Sequence, residues 1–295
     1  MGNCLIILNY NDCLTTVKLL NKIKHYVALD HILVVDNCSN DDSYRVMSKY
    51  TNDKIHIICT KRNCGYAAGN NYGARYAIEK WSPDTLFFAN PDVQFEENIV
   101  ERIEEGLYMN PRYAVATALV KRGYNAWDLP GFLGTIRMLF MLVFTSHKYF
   151  VKRKLIKNKK IHEVGVVEGS FFAIKTPIFK AVGGFDERTF LYLEENILAY
   201  RLRQKGYKEI VLSDICYIHE HSTSIKKAYK SKTNAFKLFY PSFMIYLQFY
   251  VRCGKPAQIL FGIMYLAAYA ERVVYDSIKF LSHIMKQRKG SKQNQ

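Results

Sequence analysis

Early in the chain, short apolar runs recur and each ends on a polar edge: CLIILN (Cys4 to Asn9), HILVVD (His31 to Asp36), Ile55 to Cys59, and TLFFANPDV (Thr85 to Val93). Helix-like stretches separate them, from Asp12 to Tyr26, on to Tyr50, and from Tyr66 to Trp81. Short continuous strands alternating with amphipathic helices specify an α/β fold, a mostly parallel sheet flanked by helices. The carboxyl ends of such strands share one edge, and that edge is where open α/β sheets bind ligands.

The edge loops carry a consistent set of side chains. The run from Thr85 delivers Asp92 on an Asn90-Pro91-Asp92 turn. A lone carboxylate there suits a hard cation, Mn2+ or Mg2+, shared with substrate phosphates; the same residues are also ordinary turn formers. Asp36 ends its strand, and Asn37, Ser39, Asn40 and Asp41 follow. Such residues cap the next helix or bind a ligand at its amino end; capping suits Asp41 and Asp42, ligand binding suits Asp36. The loop KRNCGYAAGNNYGA offers Arg62 and Asn63 for polar contacts, while Gly65 and Gly69 permit close backbone approach. It matches neither the Rossmann spacing nor a P-loop.

Further on, Glu194 and Glu195 precede an amphipathic helix running to Gln204. A helix start favours acidic residues through its dipole whatever their chemistry, so a capping role and a catalytic one both remain open. Arg201 can serve to hold that acidic loop by a salt bridge. In YIHEHSTS, after an apolar strand from Ile210 to Cys216, His219 and His221 occupy alternate positions and so face one side of an extended chain.

The ordered series ILNYN, VVDNCSNDDS, RNCGYAAGNN, NPDV, VEGSFFAIK, VGGFDERTFLYLEEN and YRLRQKGY resembles the inverting family 2 glycosyltransferases of GT-A fold. The resemblance runs from Cys4 to about Ser224 and leans to the bacterial rhamnosyltransferase-like branch that builds surface polysaccharides. It implies a nucleoside-diphosphate sugar donor, dTDP- or UDP-linked with rhamnose as the leading sugar, and a glycan or lipid-linked glycan acceptor. By position it assigns Asn9, Tyr10, Asn11 and Asp36 to the base and ribose, and Arg62, Asn63 and Gly65 to a second nucleotide-contacting loop. Asn90 to Asp92 stand for a reduced DxD-type motif with Asp92 as the metal ligand, joined by His219 or, alternatively, His221. Glu195, with Glu194 beside it, takes the place of the general base, where the family has aspartate. Gly169, Ser170 and Arg201 fall on the acceptor side.

The chemistry explains these residue types. Breaking an anomeric carbon to phosphate bond builds charge on the diphosphate, which a divalent cation neutralises. A carboxylate on the opposite face removes the acceptor proton, and one such in-line displacement inverts the anomeric centre. The competing class is a catalytically weak GT-A-like scaffold that binds a sugar nucleotide or a partner.

Composition bears on the setting. Seven scattered cysteines without a CxxC pair or secretory signal read as thiols in a reducing compartment, and Ile6 removes the myristoylation pattern suggested by Gly2. Residues 1–225 form the expected catalytic domain, with an apolar and basic insertion at about 121–163, and 226–295 a helical, basic extension. No apolar run there reaches an uninterrupted spanning length. The net charge of +16 calls for a polyanion. No nucleic-acid module is present, so nucleic acid is not the expected partner; an anionic membrane surface at the cytoplasmic face is. Packing on the catalytic domain, or a homodimer, is the alternative.

Overall fold

In a computed structural model describing residues 2–123, 125–141, 160–220 and 232–293, the early apolar runs build one large sheet. Its order is β3 (Ile55–Cys59), β2 (His31–Asp36), β1 (Asn3–Asn9), β4 (Thr85–Ala89), β10 (Phe171–Lys175), β6 (Tyr113–Val120), β11 (Lys208–His219) and β5 (Val93–Gln94). A further strand, β8 (Ile161–Val164), pairs with β11, while β7 (Ala126–Trp127) and β9 (Val166–Val167) form a separate ribbon. Strands β1 to β4, β6 and β11 point the same way; β10 is reversed between β4 and β6. The expected mostly parallel sheet is therefore present, with an antiparallel strand at its middle.

Alternation along each strand feeds two cores. Leu5 and Ile7 of β1, Val34 of β2 and Phe87 of β4 face the helices Cys13–Ile23 and Glu97–Tyr108. Cys4, Ile6, Leu33, Val35, Leu86 and Phe88 face the opposite way, toward the helices Gly65–Trp81 and Glu194–Gln204. The reversed strand is locked by aromatic contacts: Phe88 and Phe172 are directly opposed with ring centroids 5.3 Å apart, and both are buried. Burying each such ring stabilises by roughly 1.5–3 kcal/mol.

Two features of this topology place the ligand edge. The order β3-β2-β1-β4 reverses direction of growth at β1/β4, a switch point with Asn9 on one side and Asp92 on the other. Because β10 is antiparallel to β4, its first residues arrive at the same edge, where Asn90 N–H donates to the Ser170 carbonyl at 2.8 Å. Strand β11 is long and irregular: its register shifts between Leu212 and Cys216, after which Ile218 and His219 pair with Gln94 and Val93. That bend carries His219 to Asp92.

The C-terminal extension is not separate from this body. Helices Lys232–Lys237 and Phe239–Ile245, a π-helical turn Tyr246–Tyr250 and the long helix Lys255–Gln293 share a third core with the catalytic region. Phe236, Phe243, Tyr246, Leu247, Phe261 and Tyr265 pack there against Leu193 and Ile197 of the acidic helix and against Leu139. Leu139 ends the helix Phe132–Leu139, so the apolar part of the expected insertion contributes to packing; the basic run 148–159 lies outside the described residues. The outer face of the long helix stays apolar and exposed at Ile259, Ile263, Leu266, Val274 and Ile278. Residues Lys255–Lys279 form a helix long and apolar enough to cross a membrane by length and composition alone, which the interrupted apolar runs of the sequence did not suggest.

Candidate active site

On the donor side, β1 and β2 end in a dense hydrogen-bonded cluster. Asp36 is buried; its Oδ1 accepts from Asn9 Nδ2 at 2.8 Å and Ser39 Oγ at 2.6 Å, and its Oδ2 accepts from the Ser39 N–H at 3.0 Å. Asn9 Oδ1 in turn accepts from Thr16 Oγ1 at 2.8 Å. The Asn11 N–H donates to Ser39 Oγ, and Asn11 adopts a left-handed φ of 51°. Charged and amide groups at this edge thus order one another, leaving Tyr10 40% exposed at the rim.

The second loop is tied to the first. Asn37 Nδ2 donates to Asn63 Oδ1 and to the Gly65 carbonyl, and the Gly65 N–H donates to Asn63 Oδ1. Gly65 is required by geometry: its φ is +89°, and a Cβ there would lie 2.0 Å from the Phe190 carbonyl oxygen. Arg62 is exposed, with Nε 3.1 Å from the Cys64 thiol. Asn9, Asn11, Asp36, Asn63 and Gly65 are brought together along one edge, with Tyr10 and Arg62 at its open side.

At the switch point, Asp92 is 8% exposed. His219 stands between two carboxylates, with Nε2 3.3 Å from Asp92 Oδ1 and Nδ1 4.0 Å from Glu168 Oε2. Burial alone would lower the His219 pKa, but the hydrogen bond to Asp92 and the negative charge of Glu168 and Asp92 outweigh it and raise it. His221, the alternative, lies outside the described residues.

Glu168 begins a segment that joins this end of the site to the acidic pair. Its neighbour Gly169 donates its N–H to Glu195 Oε1 at 3.2 Å, and the Gly169 carbonyl accepts from Tyr66 Oη at 2.6 Å. A Cβ on Gly169 would sit 3.0 Å from both Glu195 Oε1 and Tyr66 Oη, so a side chain there would push on both partners of this contact. Ser170 Oγ lies 2.7 Å from Tyr217 Oη and also meets Glu168. The span from Glu168 to Ser170 therefore touches His219 on one side and Glu195 on the other.

The two glutamates differ in setting. Glu195 is half-buried and its pKa is raised to about 7, by burial first and by the nearby Glu168 charge, against the bond from Gly169. Glu194 is buried, its Oε2 has no hydrogen-bond partner among the described residues, and burial with repulsion from Glu195 drives its pKa well up. A third acid, Glu209 on β11, accepts the Val167 N–H at 2.6 Å and shares with Glu195 a cavity of about 10 Å³. Perturbed carboxylates gathered at a ligand edge are a mark of acid–base chemistry.

Arg201 is not brought to the pair. Its guanidinium donates to Tyr250 Oη at 2.8 Å and to the Gly184 carbonyl at 3.0 Å, and lies 3.5 Å from Asp186. Three residues absent from the sequence-based assignment belong to the site: Glu168, Tyr66 and Tyr217. Glu168 and Tyr66 adjoin assigned glycines, and adjacency was the available signal; Tyr217 carried none.

A profile described as Glycosyl transferase family 2 matches residues 4–183. The chain belongs to this family. It is 24% identical over 205 residues to the low-salt glycan biosynthesis hexosyltransferase Agl10 of Haloferax volcanii, covering 68% of this chain and 62% of that protein. With the N-acetylglucosaminyl-diphospho-decaprenol L-rhamnosyltransferase of Mycobacterium tuberculosis it shares 25% identity over 211 residues, 65% of this chain and 67% of the relative. Its fold matches GalNAc-T7, solved with UDP, GalNAc and Mn2+, at a TM-score of 0.59 and 15% identity, covering 95% of this chain and 57% of that one. The chain thus spans less than two thirds of the length of the first of these relatives.

Proposed function

We propose that this family 2 member is a metal-dependent, inverting glycosyltransferase that moves a sugar, with rhamnose first among candidates, from a nucleoside-diphosphate donor to a glycan or lipid-linked glycan. The observation that carries the reading is the span Glu168 to Ser170, which links a metal-competent corner to a perturbed carboxylate across the ligand edge. Similarity to rhamnosyltransferases supports the sugar, and to a lipid-diphosphate glycosylating relative the acceptor.

The residues at Asp92 fit a divalent cation. One carboxylate and one imidazole converge in a nearly closed corner, and among the described residues no cluster of three or more His, Cys, Asp or Glu offers a complete cage. Substrate oxygens and water would supply the remaining ligands of such a cation. Bound there, the cation supplies charge neutralisation of the diphosphate leaving group. Glu168, 4.0 Å from the far nitrogen of His219, adds negative charge behind the ring.

The protein's own residues account for the remaining steps. Asn9, Asp36 and Asn63 hold the donor's nucleoside in a preorganised edge. Glu195, half-buried and near neutral in pKa, takes the acceptor hydroxyl proton as the new bond forms at the anomeric carbon. Glu194 is too enclosed to meet an acceptor. Gly169, by donating to Glu195, and Tyr66, by anchoring Gly169, keep that carboxylate aimed.

Free nucleoside diphosphate should accumulate when acceptor is added, only with divalent cation present. Asp92→Ala should abolish cation-dependent donor binding in calorimetry while leaving the melting profile cooperative; retained cation dependence would remove Asp92 from the metal corner, and a protein releasing no diphosphate with any acceptor would revert to the scaffold reading.

The exposed stripe on the long helix, flanked by Lys255 and Lys279 in a chain of net charge +16, supports peripheral attachment to an anionic, cytoplasm-facing membrane. Flotation with anionic vesicles should weaken as salt rises; binding only to neutral vesicles, or a dimer in place of binding, would sink this placement.

A further inference from the structure

We propose that the C-terminal helices are a positioning element for the acidic pair: they grip a left-handed turn at Tyr192 and Leu193 that sets Glu195 at the ligand edge with Glu194 buried beside it. This rests on the reading of Glu195 as base. It gives the extension a part in the reaction that neither membrane attachment nor subunit contact requires.

The turn is costly by itself. Tyr192 and Leu193, consecutive non-glycine residues, have φ of 73° and 68°. Bulky side chains are rare in that region and persist only where surroundings over-determine them. Leu193 immediately precedes the helix that begins at Glu194, so relaxing the turn would redirect both carboxylates.

The restraints come largely from one source. The Tyr192 ring stacks on Phe239 with centroids 3.7 Å apart and planes 4° from parallel. Leu193 is buried among Phe243, Tyr246 and Leu247. Ser242, itself 1% exposed, donates its Oγ–H to the Leu191 carbonyl at 2.9 Å. In the π-helical turn that follows, Tyr250 Oη accepts from Arg201 and meets the Asp186 carboxylate. The catalytic region adds one restraint from the other side, the Tyr66 N–H to the Phe190 carbonyl at 2.8 Å. The turn is thus clamped between the donor loop and the helix Phe239–Ile245.

The test uses the full chain. Phe239→Ala should lower turnover by about 10-fold with donor KM held within about twofold, since misplacing a reacting group by a fraction of an ångström costs rate before affinity. The acid limb of its pH profile should move to lower pH, because a loosened turn admits water to Glu195. Phe239→Tyr, which keeps the stacked ring, should restore both. Ser242→Ala, which deletes one hydrogen bond, should show the same pattern at about threefold, and it decides the question where Phe239→Ala fails to fold. A folded variant with unchanged turnover and pH profile overturns the inference, as does a loss carried by donor KM with no profile shift. Glu195→Gln, assayed alongside, separates the two claims: wild-type turnover in it removes the base reading, whereas its loss together with an indifferent Phe239→Ala and Ser242→Ala breaks only the positioning claim.

Discussion

The donor edge and the acidic turn sit on the same rim yet are stabilised in opposite ways. Around Asp36 nearly every polar atom is bonded to a neighbour close in space along β1 and β2, and satisfied networks of this kind are rigid without help. At Glu194 and Glu195 the carboxylates are crowded, one oxygen has no hydrogen-bond partner among the described residues, and two left-handed residues precede them. Stability has been given up there, and distant helices hold the shape. Under the proposed function, the contrast is that between a site that binds and a site that reacts.

The sharpest way to break that contrast is at Glu195. Replacing it by glutamine keeps shape and removes basicity, so turnover should fall about 100-fold or more while donor affinity, set at the other edge, stays put. In the wild type, turnover should rise with pH through about 7 as Glu195 loses its proton. Stability should run the other way. A carboxylate whose folded pKa is raised contributes stability fully below its ordinary value of 4.5, and that contribution is lost as pH rises to about 7. Melting curves across that window should be flatter in Glu195→Gln. A turnover profile indifferent to Glu195→Gln would end the distinction between the two regions.

Gly65 lies where the regions touch. An added methyl would meet the Phe190 carbonyl at 2.0 Å in a backbone of φ +89°, so Gly65→Ala should destabilise by about 2 kcal/mol or more and lower both donor affinity and turnover. If only donor affinity falls, the acidic turn does not lean on the donor loop and the clamp has one jaw.

How far the sequence spoke for each region follows from the same difference. Strands β1, β2, β3 and β4 were legible because each is a short apolar run with a polar end, and their edge residues are held by neighbours next in the fold. The reversal of β10 was not, since FFAIK is as apolar as any parallel central strand and strand direction leaves no mark in such a run. Strand β11 was traced only from Ile210 to Cys216. Its bulge and its pairing with Val93 extend it from Lys208 to His219, a long-range contact that the local pattern does not encode. Arg201 was matched by position to the acceptor side, but its direction depends on Tyr250, which belongs to packing contributed by the C-terminal extension. The grip on Tyr192 was invisible for that reason as well.

The smallest expected effect is at Glu194, and it tests which acid reacts. This side chain is buried, and burial together with the Glu195 charge drives its pKa well up, which favours its neutral form. Glutamine matches that neutral form in size and charge. Glu194→Gln should therefore cost about threefold in turnover at most, through small shifts of the turn. Its melting temperature should decline less steeply than that of the wild type above pH 4.5, because the wild type gives up stability as pH rises toward the elevated folded pKa and the amide has no proton to lose. A shallower slope with near-normal turnover places Glu194 as a buried neutral support. A loss of turnover as deep as that of Glu195→Gln would instead shift the base by one residue, from the half-open carboxylate to the enclosed one, and the acceptor would have to reach a side chain that is only 3% exposed.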